Sequence, residues 1–259
     1  MPTILVSGHL LEIEACAPAS ADRPTVVFLH EGLGSLGLWR NFPERVREAT
    51  GCGTLVYSRW GYGGSEPRPG PWPVSFMHDE AIDTLPAVLA ATGISRPVLL
   101  GHSDGGSIAL IFAAQYPDAV SAVVTEAAHV FVEDVTVNSI DEARRRFDDG
   151  GLRLRLGRHH RRNTDTLFSG WAGVWLSTAF RQWDIQGLLP SVRCPVLAMQ
   201  GDEDEYGTEQ QLDDLAAGVA GPCERLLLAG CGHAPHAQKP RDVVNAVTRF
   251  LSSPLVTAF

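Results

Sequence analysis

Lysine is almost missing from this chain: Lys239 is the only one among 21 basic residues, so positive charge is carried by arginine. Basic residues are also outnumbered by 30 acids, for a formal charge of −9 at pH 7. That balance excludes nucleic acid or an anionic membrane as the main partner, since either would repel the chain. Cysteine is sparse and scattered. Cys16, Cys52, Cys194, Cys223 and Cys231 form no C-x-x-C pair, and an odd count cannot close into a full disulfide set. Their spacing argues against a structural zinc and predicts reduced thiols in a cytoplasmic protein. No segment reaches the roughly 18 apolar residues that span a bilayer, and Met1–Val6 lacks the basic start of a signal peptide. Internal repeats and low-complexity stretches are absent as well.

What remains is the material of one large globular domain. The chain has 259 residues, 44% hydrophobic and 20% charged, enough for a sizeable core and too short for two large domains. Composition leaves self-association into a homo-oligomer open. Residues 4–15 alternate around Ser7-Gly8-His9 and read as an antiparallel hairpin. Short continuous apolar runs then recur at 25–29, 54–58, 97–100, 120–125, 195–199 and 225–228, the pattern of strands covered on both faces. Helical periodicity separates them at 39–49, 76–92, 107–116, 208–217 and 243–251. This alternation predicts an α/β protein, a mostly parallel sheet with helices on both faces.

One interval breaks the rhythm. Residues 129–187 contain no buried strand and read as helices over 140–147, 152–160 and 164–183. Nine arginines face eight acids there, against 12 basic and 22 acidic residues elsewhere, so the interval stands apart in charge. It reads as a helical lid inserted into a core domain formed by 1–128 and 188–259. Phe168, Trp171, Trp175 and Phe180 recur at helical spacing, either as packing or as a pocket wall for an aromatic or acyl group. Arg144, Arg145, Arg146, Arg153, Arg155, Arg158, Arg161 and Arg162 read as a solvated face balanced by Asp148, Asp149 and Asp165, with attraction of an anionic substrate as the alternative. His129, at the junction, is a candidate pocket residue.

The strongest chemical signal is Gly101-His102-Ser103-Asp104-Gly105-Gly106, between a buried strand and a small-residue helix. A sharp strand-to-helix turn forces its central residue into a strained conformation, and glycines two positions to either side let the backbone pass closely. Ser103 would then stand clear of the sheet at a helix N-terminus that favours developing negative charge. A serine nucleophile needs a base and an orienting acid. Gly201-Asp202-Glu203-Asp204 follows one later strand and Gly230-Cys231-Gly232-His233 the next, both on the rim where the turn emerges.

With this chain order of serine, acid and histidine, the sequence resembles the α/β-hydrolase family over nearly its whole length. The resemblance implies Ser103 as nucleophile, His233 as base in a G-H turn, and Asp204 as acid in a G-x-x-D pattern. His236 rivals His233; Asp202, Glu203, Glu205 and Glu126 rival Asp204. It further implies an oxyanion hole from the backbone N–H groups of Asp104 and Gly32, the latter in the turn His30-Glu31-Gly32-Leu33-Gly34. The family begins this turn His-Gly, whereas this chain has Glu31 in second place, and Glu31 joins the candidate pocket residues. Glu31 and Asp104 both adjoin the hole, and their carboxylates are expected to turn away into hydrogen-bond networks.

Serine rather than aspartate at position 103 suits acyl transfer, not displacement at saturated carbon. The expected function is hydrolysis of small carboxylic esters through an acyl-enzyme, with no metal or organic cofactor. The alternatives are a carbon–carbon bond hydrolase of aromatic ring-fission products, with arginines holding a carboxylate, and thioesterase, lactonase or perhydrolase activity. A different class, a non-catalytic small-ligand receptor on the same fold, stays open.

Overall fold

In the computed structural model of the protein, which describes residues 2–257, the apolar runs are buried for nearly their full length because both faces of the sheet are covered, except at 225–228 on the edge strand, where Leu228 alone is buried. Met1, Ala258 and Phe259, at the two ends of the expected core domain, lie outside the described residues. The chain runs β1 (Thr3–Val6), β2 (His9–Cys16), β3 (Thr25–Leu29), α1 (Phe42–Thr50), β4 (Gly53–Tyr57), α2 (Phe76–Asp79), α3 (Leu85–Thr92), β5 (Val98–His102), α4 (Asp104–Gln115) and β6 (Ala122–Glu126). Three helices follow, α5 (Asp134–Asp148), α6 (Gly151–His160) and α7 (Thr164–Trp175). The rhythm then returns with β7 (Val196–Gly201), α8 (Glu209–Gly218), β8 (Cys223–Leu228), α9 (Pro235–Gln238), α10 (Pro240–Leu251) and α11 (Pro254–Thr257).

Among the described residues the strands form one sheet of eight, ordered β1-β2-β4-β3-β5-β6-β7-β8. The β1–β2 and β2–β4 joins are antiparallel and the others parallel. Alternate residues of a strand feed opposite cores: Val27 and Leu29 pack on the side of α3, α4 and α8, Val26 and Phe28 on the side of α1 and α10. Register decides where function can sit. Leu29 pairs with Gly101, His102 with Glu126, and Gly201 with Leu228, so the loops leaving β3, β5, β6, β7 and β8 emerge on one rim.

The helices depart from the sequence reading in several places, among them the starts of α4 at Asp104 and α5 at Asp134. The helix expected from Trp39 begins at Phe42, after a 3₁₀ turn over Leu36–Trp39. The stretch 76–92 is helical throughout but carries a π-turn at Glu80–Thr84. The helix expected over 164–183 stops at Trp175, and Phe180 sits in a separate 3₁₀ turn, so the four aromatics do not share one helix. The four-residue α9 was too short to carry a periodic signal.

Between β6 and β7 there is no strand among the described residues. The insertion is drawn together at its neck by the bridge between Phe131 and Asp184 and by the Ile185 amide donating to Val130 O at 2.8 Å. Its middle is tied to the core. Buried His160 accepts from the Gly63 amide at 3.0 Å through Nδ1 and donates to Leu33 O at 2.9 Å through Nε2. Buried Asn163 donates to Ser65 O at 2.9 Å.

The tightest crossing in the fold is where α4 passes under β3. A Cβ on Gly105 would overlap the Leu29 carbonyl, and one on Gly101 would overlap the Gly105 carbonyl. Gly173, also helical but exposed, has nothing within 4 Å of its Cβ position. Gly105→Ala is therefore expected to cost about 3 kcal/mol or more, or to prevent folding, whereas Gly173→Ala should add roughly 0.5–1 kcal/mol. Thermal and urea unfolding of the two variants checks this.

Candidate active site

Ser103 sits between β5 and α4 with φ 52° and ψ −118°, a left-handed backbone conformation that a serine adopts only under constraint. Its amide donates to Glu126 O at 2.8 Å, and its carbonyl accepts from Gly106 at 2.8 Å and Ser107 at 3.1 Å. The turn is thus fastened to β6 on one side and to its own helix on the other. Ser103 lines a cavity of about 100 Å³ that His233 also lines.

His233, in the loop after β8, joins Asp204, in the loop after β7, through Nδ1 and Oδ1 at 2.8 Å. The side chain of Asp204 is only 1% exposed. Its Oδ1 also accepts from the Tyr206 amide at 2.8 Å, and Oδ2 accepts from Gln200 Nε2 at 3.2 Å. Burial pushes its pKa up, but the bonds and charge of His233 and the Tyr206 amide outweigh that and hold it below the usual carboxylate value. With Nδ1 so engaged, Nε2 is the ring nitrogen left for the cavity. Ser103 Oγ and His233 make no hydrogen bond in this resting arrangement.

The rival residues are occupied with each other. His236 binds Glu126 through Nδ1 at 2.8 Å and through its backbone amide at 2.9 Å. Its ring lies 4.6 Å from Trp39 and 5.3 Å from Phe42, and it is not among the residues that line the cavity. Glu126 is fully buried; burial raises its pKa, and the charge and bond of His236 bring it below the ordinary value. Of the other acids near Asp204, Glu205 accepts from the His233 amide at 3.0 Å and Asp202 from the Cys231 amide at 3.4 Å. Glu203 engages through its backbone amide alone, to Cys231 O at 2.9 Å.

The Gly32 and Asp104 amides border the same cavity and make no hydrogen bond within the described chain. Both flanking residues border the cavity; the Glu31 carboxylate turns towards His102, as expected, whereas that of Asp104 joins no hydrogen-bond network. Glu31 folds over Gly34, where a Cβ would overlap its carboxylate, and ends 3.4 Å from His102 Nδ1. Burial raises its pKa, yet the His102 ring and the neighbouring imidazoles hold it far below the usual range. Asp104 Oδ2 has no hydrogen-bond partner and stands 4.0 Å from Arg59 Nη2. Burial pushes its pKa up to about 6, against the opposing pull of Arg59 and of the Trp175 indole.

His129, Trp171 and Trp175 also line the cavity. Trp171 sets the Nε1 edge of its indole against Gly32, where any Cβ would overlap it, and the Nε1 atoms of both tryptophans are buried without a partner. His129 Nδ1 is unpartnered too; burial, then the charge of His233, lowers its pKa to about 3. None of the arginines of residues 144–162 lines the cavity. Arg144 and Arg145 pair with Asp141 and Arg153 with Asp165 on the surface, while Asp148 and Asp149 form no ion pair among the described residues. Sequence reasoning missed Tyr206, whose ring is 4.7 Å from His233, as well as Thr136 and Ile140 of α5. It also missed His102 as a support: its Nε2 meets His233 O at 2.7 Å.

Residues 24–172 match the family model described as alpha/beta hydrolase fold. The 2-succinyl-6-hydroxy-2,4-cyclohexadiene-1-carboxylate synthase of Salmonella agona is 26% identical over 90% of this chain and 96% of its own length. The serine hydrolase BPHL of Homo sapiens is 31% identical over 66% of this chain and 60% of its own. Coverage of such relatives varies widely, falling to 36% of the length of a carbamate hydrolase designation from Pantoea ananatis. In fold, the chain is similar to the enol-lactonase of Burkholderia xenovorans, with a TM-score of 0.76 at 20% identity over 97% of this chain and 100% of that one.

Buried imidazoles give the site and its supports a pH signature. In His30, His129 and His160 burial is the largest influence and holds the pKa below 6.5. Their contribution to stability is complete above pH 6.5 and is lost as pH falls towards the folded-state values, because the unfolded chain binds the protons first. His236, raised by Glu126 against burial, acts above pH 6.5 and in the opposite sense. Urea unfolding at pH 7.5 and 5.5 should therefore show a smaller loss for His160→Gln than for the wild type, by up to about 1.4 kcal/mol.

Proposed function

The chain belongs to the α/β-hydrolase family, and from that premise we propose that it is a serine hydrolase that cleaves small carboxylic esters through an acyl-enzyme. The observation that carries this reading is the 2.8 Å contact between His233 and Asp204 at the edge of a cavity shared with Ser103, whose backbone is strained to present its hydroxyl. In the proposed mechanism His233 Nε2 takes the Ser103 proton as Oγ attacks the ester carbonyl. Asp204 holds the ring in the tautomer that leaves Nε2 free to accept and steadies the imidazolium that forms. The carbonyl oxygen, becoming negative, accepts hydrogen bonds from the Gly32 and Asp104 amides, each worth about 3 kcal/mol in sites of this kind. His233 returns the proton to the departing alkoxide, and water repeats the sequence on the acyl-enzyme. The Ser103–His233 hydrogen bond forms with substrate, as catalytic bonds in empty sites often tighten only on binding.

In this reading residues 129–187 serve as the lid of a core formed by 1–128 and 188–259. Trp171 and Trp175 from α7 and Ile140 from α5 roof the cavity and exclude water from the acyl-enzyme. The lining holds two carboxylates and neither arginine nor lysine, so it disfavours an anionic acyl or leaving group. That weighs against the carbon–carbon hydrolase alternative, which needs a cation to hold the substrate carboxylate. Thioester and lactone substrates share the same chemistry and compete with esters on equal mechanistic terms.

Incubation with p-nitrophenyl butyrate and a fluorophosphonate probe tests the proposal. The expected outcome is phenolate release with labelling of Ser103, both abolished by Ser103→Ala, and a fall in kcat of about 10⁴ in Asp204→Asn. A folded protein inert to both reagents would favour the receptor reading instead. Among active substrates, a hemisuccinate ester should show kcat/KM at least about tenfold below the neutral butyrate; the reverse order would overturn the charge argument.

A further inference from the structure

We infer that Arg59, which does not itself line the cavity but bonds the backbone of Glu31 that does, is the positioning residue that aims and charges the oxyanion hole; the inference rests on the serine-hydrolase reading above. Arg59 lies two residues beyond β4, is 2% exposed, and spends its guanidinium on backbone of the β3 loop. Nη2 donates to Glu31 O at 2.8 Å and to His30 O at 3.2 Å. The Arg59 amide donates to His30 Nε2 at 3.1 Å, which leaves His30 Nδ1 as the donor to the same Glu31 O at 2.8 Å. A third donor, the Gly34 amide, reaches that oxygen at 3.0 Å.

The Glu31 carbonyl and the Gly32 N–H belong to one peptide unit. In a planar trans peptide they point in opposite directions, so fixing the oxygen fixes the line along which the N–H points. Three donors on one carbonyl are unusual, and one of them carries a full charge. That charge draws electron density towards the oxygen and makes the Gly32 N–H a stronger donor on the opposite side, where a developing oxyanion would sit.

The same guanidinium reaches the other half of the hole. Its Nη2 is 4.0 Å from Oδ2 of Asp104, whose amide is the second proposed donor. A bare carboxylate at that position would oppose the negative charge forming beside it, and Arg59 offsets it. Tyr62, whose ring lies 4.4 Å from the guanidinium carbon, covers the group from the remaining side, and His160 holds Leu33 O of the same loop. A buried cation is costly, and these partners make Arg59 the one charge common to both loops of the hole.

Arg59→Lys keeps the charge but not the planar fork, and Arg59→Gln keeps a donor without charge. Both are compared with the wild type for ester turnover, for affinity to a trifluoromethyl ketone that forms a tetrahedral adduct on Ser103, and for the Gly32 amide proton and nitrogen shifts by NMR. The expected result is a 10²–10³-fold loss of kcat in Arg59→Gln with KM changed less than about threefold. Adduct affinity should fall in parallel, Arg59→Lys should retain part of both, and the Gly32 amide should move upfield. Equal losses in kcat and KM with an unmoved Gly32 amide, or unchanged kinetics in a folded variant, would overturn the inference. A wild type inert to esters and ketone would sink the hydrolase reading alone, because the Gly32 shift in the folded Arg59→Lys protein still reports whether Arg59 sets that peptide.

Discussion

The structure turns on the backbone crossing where β5 gives way to α4. Gly105 touches the Leu29 carbonyl and Gly101 touches Gly105, so no side chain fits at either contact. That closeness bends the chain sharply enough to hold Ser103 at φ 52°. Strain of this kind costs on the order of 1–3 kcal/mol and survives only where its surroundings over-determine it. Here the surroundings are a central parallel strand bonded on both sides and an almost wholly buried helix. Because the contact joins β3 to the turn, it also brings the loop carrying Gly32 beside Asp104. One close approach thus sets the spacing of a hydroxyl and two amides drawn from separate parts of the chain.

Much of this was legible in the sequence, for identifiable reasons. Strands covered on both faces leave unbroken apolar runs, and Val26–Leu29 and Val98–Leu100 could hardly be read otherwise. The elbow was legible because only glycine tolerates the contacts it makes. Helix ends were less so: α5 begins at Asp134 with polar residues, so a reading anchored on Ile140 starts too late. The aromatic stripe of α7 continued past its true end because Phe180 and Trp183 fall near helical phase although Ser177 and Thr178 break the helix. Side-chain direction was the least legible quantity. Whether Asp104 turned away depended on Arg59, 45 positions earlier, and nothing local to the elbow records that contact. Tyr206 likewise reaches His233 only through a loop whose path follows from Asp204 accepting its amide.

Acids and imidazoles pair in buried positions at this end of the sheet: Glu31 beside His102, Glu126 with His236, Asp204 with His233. Each carboxylate is held ionised against burial by the imidazole it meets. Asp104 is the exception, with an arginine at 4.0 Å and a raised pKa. Of these groups Glu31, Asp104 and His233 line a cavity whose other walls include Trp171, Trp175, Tyr206, Leu33, Thr136 and Ile140.

The attachment of the inserted helices gives this arrangement a mechanical corollary. His160 and Asn163 bind the loops after β3 and β4 directly, and Leu33 is next to Gly32. Trimming the insertion away would not yield an open-mouthed enzyme with its chemistry intact. It would strip the supports from Leu33 and Gly63 and slacken the loop that carries Gly32.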